Sequence, residues 1–168
     1  MGLERWRCAP ALAGLLLTAC GSPARPSPSE MPLAQLQSRY LQAAAAYNAA
    51  EATISAAENT YCVAPAGDLA KCQAALKQDR QSTTAFDEAL RAVAFPDTYK
   101  AAVDKLIQDD GRLEQTLDRA ATATSLSAAA SIFVQLAGLY TATAQDADAL
   151  RSLLKLPKGS ALPATPSP

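Results

Sequence analysis

The segment Leu33–Tyr61 repeats every seven residues, and that period restricts the chain more than any other feature. Leu33, Tyr40, Tyr47, Ile54 and Tyr61 form one row, while Leu36, Ala43, Ala50 and Ala57 each follow three residues later. Apolar residues at two positions of a seven-residue repeat describe a helix that buries one stripe against other helices. A helix of this kind draws most of its stability from the face it covers, so its partners must come from the rest of the chain.

Three further stretches supply them. About Leu69 to Val93 places Leu69, Cys72, Leu76, Thr83, Phe86, Leu90 and Val93 on one face, with Asp68 as the expected N-cap. A third stretch begins after Phe95-Pro96 with Asp97 as expected cap, and carries Tyr99, Val103, Leu106, Leu113 and Leu117. Gly111 interrupts it at a cost of about 1 kcal/mol relative to alanine, yet the phase continues across it, so one helix, straight or kinked, is expected. The fourth, capped by Ser125, runs through Leu126, Phe133, Leu136, Tyr140, Leu150 and Leu154 and stops before Pro157. Alanine, leucine and glutamine favour helix throughout, and strand alternation is missing. The expected fold is all-α, an antiparallel up-down-up-down four-helix bundle over residues 33–156, because long helices with short links return on one another.

Ahead of the bundle, Arg5 and Arg7 precede a mostly apolar run from Cys8 to Thr18. About a dozen residues is the length of a signal-peptide hydrophobic region and is too short for a permanent membrane span. The run closes on Leu17-Thr18-Ala19-Cys20, followed by Gly21-Ser22. This resembles the lipobox of bacterial lipoproteins: an aliphatic residue, two small residues, then the cysteine that is modified. The resemblance implies a signal peptide over residues 1–19, cleavage before Cys20, a diacylglyceryl thioether on Cys20 and often an N-acyl chain such as palmitate. Two or more acyl chains suffice for stable anchoring. The expected location is the extracytoplasmic face of the cell membrane, or the outer membrane where the host has one, since Gly21 rather than aspartate follows the cysteine. Residues 20–32, with prolines at 23, 26, 28 and 32, are expected to form a semi-rigid tether, and residues 157–168 a disordered Pro-rich tail.

With Cys8 removed and Cys20 carrying lipid, Cys62 and Cys72 remain. They flank the link between the first two helices, where an exported protein is expected to form a disulfide, stabilising by roughly 3 kcal/mol. Lys plus Arg total 15 against 16 Asp plus Glu, so no field steers the chain towards nucleic acid, and none is expected as a partner. Histidine is absent, which removes the usual general base and the commonest transition-metal ligand. The Glu-x-x-His ligands of di-iron bundles therefore cannot be built, and haem would lack an imidazole, with Met31 assigned to the tether. Gly-rich phosphate loops and a Gly-x-Ser-x-Gly elbow are also missing from the sequence. No metal or cofactor beyond the lipid, and no catalytic residue, is expected.

Two inner-stripe positions are unusual. The heptad phase puts Asp79 and Asp110 near mid-helix, level with Tyr47 and Tyr140. Three readings stand: the carboxylates turn to solvent and pair with Arg80 or Arg112; they form a Tyr–Asp network that fixes register; or they line a small polar or cation site. The fourth helix differs in kind, since Ala120 to Gln145 carries no charge. Its threonines, serines and glutamines argue against a membrane span, whereas Ala128, Ser131, Gln135, Gly138, Ala142 and Gln145 offer a small, uncharged face. That face would suit an envelope partner or self-association, or it reflects an alanine-rich surface alone. The function these features favour is a membrane-tethered interaction or scaffold module; the alternative is a small-ligand carrier or sensor binding between the helices. A pocket of a few hundred cubic ångströms would favour the carrier.

Overall fold

The structure is a computed structural model that describes residues 31–63 and 66–159. The lipobox cysteine Cys20, the signal region and most of the tether and tail lie outside the described residues. Four helices account for the rest: α1 Leu33–Tyr61, α2 Leu69–Arg91, α3 Asp97–Ala121 and α4 Leu126–Leu153. They pack as a four-helix bundle, with no strand among the described residues.

The helix ends follow local chemistry. The Asp68 carboxylate accepts from the Lys71 amide and the Ser125 hydroxyl oxygen from the Ala128 amide, each satisfying an orphan donor of a first turn. Asp97 is not the cap of α3. It is the first helical residue, and Pro96 precedes it in extended conformation, so Asp97 acts through its charge on the helix N-terminus. Before α2, a Cβ on Gly67 would collide with the Tyr61 carbonyl, so only glycine fits this turn. α3 runs unbroken across Gly111, whose absent side chain leaves open space. At the far end of α4, Lys155 takes a positive φ of 55° and the Leu156 amide returns to the Arg151 carbonyl at 2.9 Å. This is the six-to-one closure of a Schellman motif.

The described ends of the segments expected to be tether and tail, residues 31–32 and 157–159, adjoin the helices. Met31 packs against the apolar core beside Leu33. Beyond α4, Arg151 Nε donates to the Pro157 carbonyl and the Gly159 amide donates to Asp148, both within 2.9 Å.

Cross-helix contacts set the heights. Cys62 and Cys72 join α1 to α2 through a disulfide, and Tyr47 meets Phe86 with ring centroids 5.2 Å apart. Arg80 pairs with Asp118 at 3.1 Å between α2 and α3, and Lys105 with Asp146 at 2.8 Å between α3 and α4. α1 packs along α2, α2 along α3 and α3 along α4, while α1 and α4 share no comparable seam. Gln37 spans that edge near one end, donating to the Leu154 carbonyl at 2.8 Å.

The buried apolar side chains fall into two clusters. One gathers Leu36, Tyr40, Phe86, Leu90, Val103, Leu106, Leu150 and Leu154 at the end where α1 starts. The other gathers Cys62, Cys72, Leu76, Leu113, Leu117, Ala120 and Leu136 at the disulfide end. Burying each Leu or Phe stabilises by roughly 1.5–3 kcal/mol, so either cluster is a substantial core. Between them on every helix lies a polar stretch: Glu51 and Glu58 on α1, Asp79 and Thr83 on α2, Asp110 on α3 and Thr143 on α4.

Candidate functional site

The polar layer exists because inner positions that would be apolar in a plain bundle carry oxygen. On α2, Asp79, Thr83 and Asp87 stand one turn apart in a single row, all buried. Asp79 is 0% exposed and Asp110 4% exposed, which overturns the solvent-facing reading. The arginines proposed to draw them outward are engaged elsewhere, Arg80 with Asp118 and Arg112 with Asp109.

Asp79 accepts a hydrogen bond from the Tyr140 hydroxyl, joining two of the four residues expected at this level. Its other neighbours are acids. Glu51 lies within hydrogen-bonding reach of Asp79, and Glu58 is close enough to feel its charge. The Ser82 and Thr83 hydroxyls stand nearby without closing a hydrogen bond of normal geometry. Asp110 is not part of that group. It lies against Asp87, which is held on its outer side by Arg91 at 3.1 Å. Tyr47 stacks on Phe86 between the two groups, with its hydroxyl beside Thr83.

Two carboxylates within hydrogen-bonding reach attract only if a proton lies between them. Burial raises the pKa of every carboxyl in the layer, and neighbouring acids push Glu51, Glu58 and Asp110 further. Burial is the leading cause for Asp79 and Asp87 also, opposed by the hydrogen bond from Tyr140 to Asp79 and by hydrogen bonding to Asp110 at Asp87. Glu58, deprived of any hydrogen-bond partner for Oε1, is pushed up to about 8 by burial and then by the Asp79 charge. The Tyr47 and Tyr140 phenols are driven upward by the same burial and stay neutral. Without protons on the carboxyls, Glu51 Oε1, Asp79 Oδ1, Asp87 Oδ1 and Asp110 Oδ2 would have no hydrogen-bond partner, and Thr83 Oγ1 has none. Orphaned buried oxygens cost about 1–3 kcal/mol each, so the layer is held together only while protons are retained in it.

A cavity of about 260 Å³ reaches the layer from the α1–α4 edge. Tyr40, Ala44, Tyr47 and Asn48 of α1 face Thr143, Ala144, Ala147, Asp148 and Arg151 of α4 across it. Phe86, Leu106 and Asp110 close its inner side. Asp79 and Tyr140 are not among its walls. The four residues expected to share one level therefore divide: Asp79 with Tyr140 away from the cavity, Asp110 with Tyr47 on it.

Glu51, Glu58 and Asp87 were not singled out from sequence. Glu51 and Glu58 recur seven apart beside the inner rows of α1, and Asp87 continues the Asp79–Thr83 spacing by one further turn. Those repeats were the available signal. No three acidic or cysteine side chains among the described residues converge to hold a metal ion.

Of the small-residue face on α4, Ser131, Gln135, Gly138 and Gln145 are exposed, while Ala128 and Ala142 are half-buried. Val134 beside it is 70% exposed, the most open large apolar side chain described. By length and composition α4 does reach the range of a membrane-crossing helix, with a mean hydropathy of 1.3 over an 18-residue window, contrary to the sequence expectation. Its alanines, leucines and aromatics outweigh the interrupting threonines and glutamines in that average.

Fold and site together define a class: a four-helix bundle whose core is divided by a buried carboxyl layer, with a cavity reaching that layer at Asp110. No protein-family model, curated protein or solved structure matches this chain.

Proposed function

We propose that the protein is a small-ligand carrier or sensor, held to the bacterial cell envelope by lipid on Cys20 and binding its ligand between α1 and α4. The observation that carries this reading is the cavity of about 260 Å³ whose inner wall bears Asp110. Sites for small molecules are concave and combine apolar walls with a few placed polar groups. This one sets Ala44, Phe86 and Leu106 beside Asn48, Thr143, Asp110, Asp148 and Arg151, a more polar lining than most. The antiparallel up-down-up-down order belongs to the same proposal. It is supported by the way partners descend one helix as they climb the next: Tyr47 with Phe86 and Cys62 with Cys72, Lys105 with Asp146 and Arg119 with Gln135. In that arrangement α1 and α4 are neighbours without a tight seam, which is what leaves room for a ligand.

The test is retention of a small molecule. Full-length protein purified from its native host in mild detergent should carry or enrich a compound in native mass spectrometry, and Ala144→Phe should lose it by filling the cavity. Equal enrichment by both proteins, or none by either, would remove the carrier reading. The anchor is tested separately: Cys20→Ser should abolish lipid labelling and release the protein from membranes. Unchanged retention of that variant, with no lipid adduct on wild type, would sink the lipoprotein assignment.

A second reading, an interaction module, is favoured by the exposure of Val134 within an uncharged stretch of α4. Under it, Val134→Lys should abolish capture of an envelope protein or a second copy while leaving ligand retention intact.

A further inference from the structure

The cavity's walls differ sharply along its length. Arg151 lines its outer part, over the Tyr40 ring at 5.8 Å from its centroid. Thr143 lies two turns along α4 from Arg151, about 12 Å at 1.5 Å per residue, and lines the same cavity as Asp110. Two aromatic faces, Tyr47 and Phe86, also line it, with Ala44, Leu106 and Ala144 supplying carbon.

Asp110 is nine-tenths buried, lines the cavity and lies within hydrogen-bonding reach of Asp87. Behind it Asp87 completes a buried pair of acids, which attract only while a proton lies between them. Of the lining residues only Arg151 is basic, and it stands two turns of α4 away from Thr143. Ionising this pair of acids therefore calls for a positive charge, and a cation entering the cavity can bring one.

We propose that the cavity binds an organic ammonium ion, an alkylamine whose charged nitrogen is received by Asp110 and whose carbon chain lies against Tyr47, Phe86 and Leu106. The proposal rests on the ligand-binding reading and names its chemistry. An ammonium brings three N–H donors and a positive charge to a wall that bears one member of a buried acid pair. Aromatic faces beside a carboxyl favour a desolvated organic cation further. A bare metal ion fits less well, because a space of about 260 Å³ with many carbon walls exceeds what an ion fills and no three ligating groups converge among the described residues. An anion would meet Asp110 and Asp148, with Arg151 alone to favour it.

Binding also moves a proton. In the empty protein Asp110 is kept protonated by burial and by the adjacent Asp87 charge. The groups facing it are Tyr40 and Tyr47 on α1, Asp87 with its Arg91 on α2, Glu114 on its own helix and Asp146 on α4. Asp148 and Arg151 share the cavity from α4. When an ammonium ion docks, Asp110 gives its proton to solvent and becomes the carboxylate partner of the bound cation. Affinity should therefore rise with pH by up to about tenfold per unit until Asp110 is ionised in the empty protein.

The experiment uses the full-length chain in mild detergent with three isosteric probes: butylamine, butanol and butyrate. Calorimetry between about pH 6 and pH 8 should give butylamine an affinity at least about tenfold above the other two, rising with pH and releasing one proton. Asp110→Asn keeps the shape and removes the acid, so it should lose the preference for butylamine and the pH dependence while retaining the wild-type helical signal. Butanol or butyrate binding as tightly as butylamine would overturn the ammonium assignment and leave the ligand-binding reading standing. Butylamine binding unchanged in Asp110→Asn would likewise overturn it. Failure of butylamine to bind wild type overturns it outright, whereas loss of the native ligand on filling the cavity bears only on the carrier reading.

Discussion

Tyr47 and Tyr140 occupy similar inner positions on their helices, yet their hydroxyls do different things. The Tyr140 hydroxyl donates to a carboxylate that is 0% exposed, so Tyr140→Phe leaves an Asp79 oxygen without its donor. Its cost should be about 1–3 kcal/mol in a denaturant melt at neutral pH. The Tyr47 hydroxyl only lies beside Thr83, and its ring contributes through Phe86, so Tyr47→Phe should cost less than about 0.5 kcal/mol. A reversed order would mean that Tyr47 rather than Tyr140 anchors the layer. At this scale the sequence was half legible. The heptad phase put Asp79 and Asp110 on the inner stripe, and both are buried. It could not tell that Asp110 turns towards Asp87, because i and i+7 spacing locates a helix face and says nothing of which neighbour a short side chain meets across it. Glu51 and Glu58 escaped for a related reason: they flank the stripe, where glutamate ordinarily reaches solvent.

Helix existence and extent were the most legible features, since a sustained apolar period and a local cap are both written in short stretches of sequence. α1 spans Leu33–Tyr61 as its seven-residue rows require, and Asp68 and Ser125 cap as their types suggest. Asp97 failed as a cap because the preceding Pro96 already fits the turn into α3, moving the aspartate inside. The close of α4 could not be read, since Lys155 adopts a conformation that usually belongs to glycine. Lys155→Gly should therefore raise stability, by about 1 kcal/mol, in thermal or denaturant unfolding. A loss of similar size would mean that contacts of the lysine stem outweigh its backbone strain. The hairpin between α1 and α2 makes the opposite kind of prediction. The disulfide closes a loop at a sequence separation of 10, so reduction should destabilise by roughly 3 kcal/mol. Two free thiols in protein taken from its native compartment would contradict the bond.

On the scale of the whole molecule, the buried acids make stability a function of pH with an uncommon sign. In most proteins carboxylates are better ionised in the folded state, and stability is lost on acidification. Asp109 behaves that way here, held below the usual range by Lys105 first among its partners. The layer between the two apolar clusters does the reverse: Glu51, Glu58, Asp79, Asp87 and Asp110 all have pKa values raised by burial. Between the unfolded glutamate value of about 4.3 and the folded value of about 8 at Glu58, the native state holds a proton that the unfolded chain has lost. Stability must therefore fall as pH rises through that window and level off above it. By neutral pH the loss from Glu58 alone is on the order of 3 kcal/mol, a large part of the 5–15 kcal/mol that a typical domain possesses. Thermal melts at about pH 5 and pH 8 should show wild type less stable at the higher value. Glu58→Gln removes the titrating group at nearly constant shape. It should raise the melting temperature at the higher pH, change it little at the lower, and flatten the slope between them. A wild-type melting temperature that climbs from the lower pH to the higher would mean that the layer's acids gain more from ionised partners than they lose to burial, and the proton-holding core would have to be abandoned.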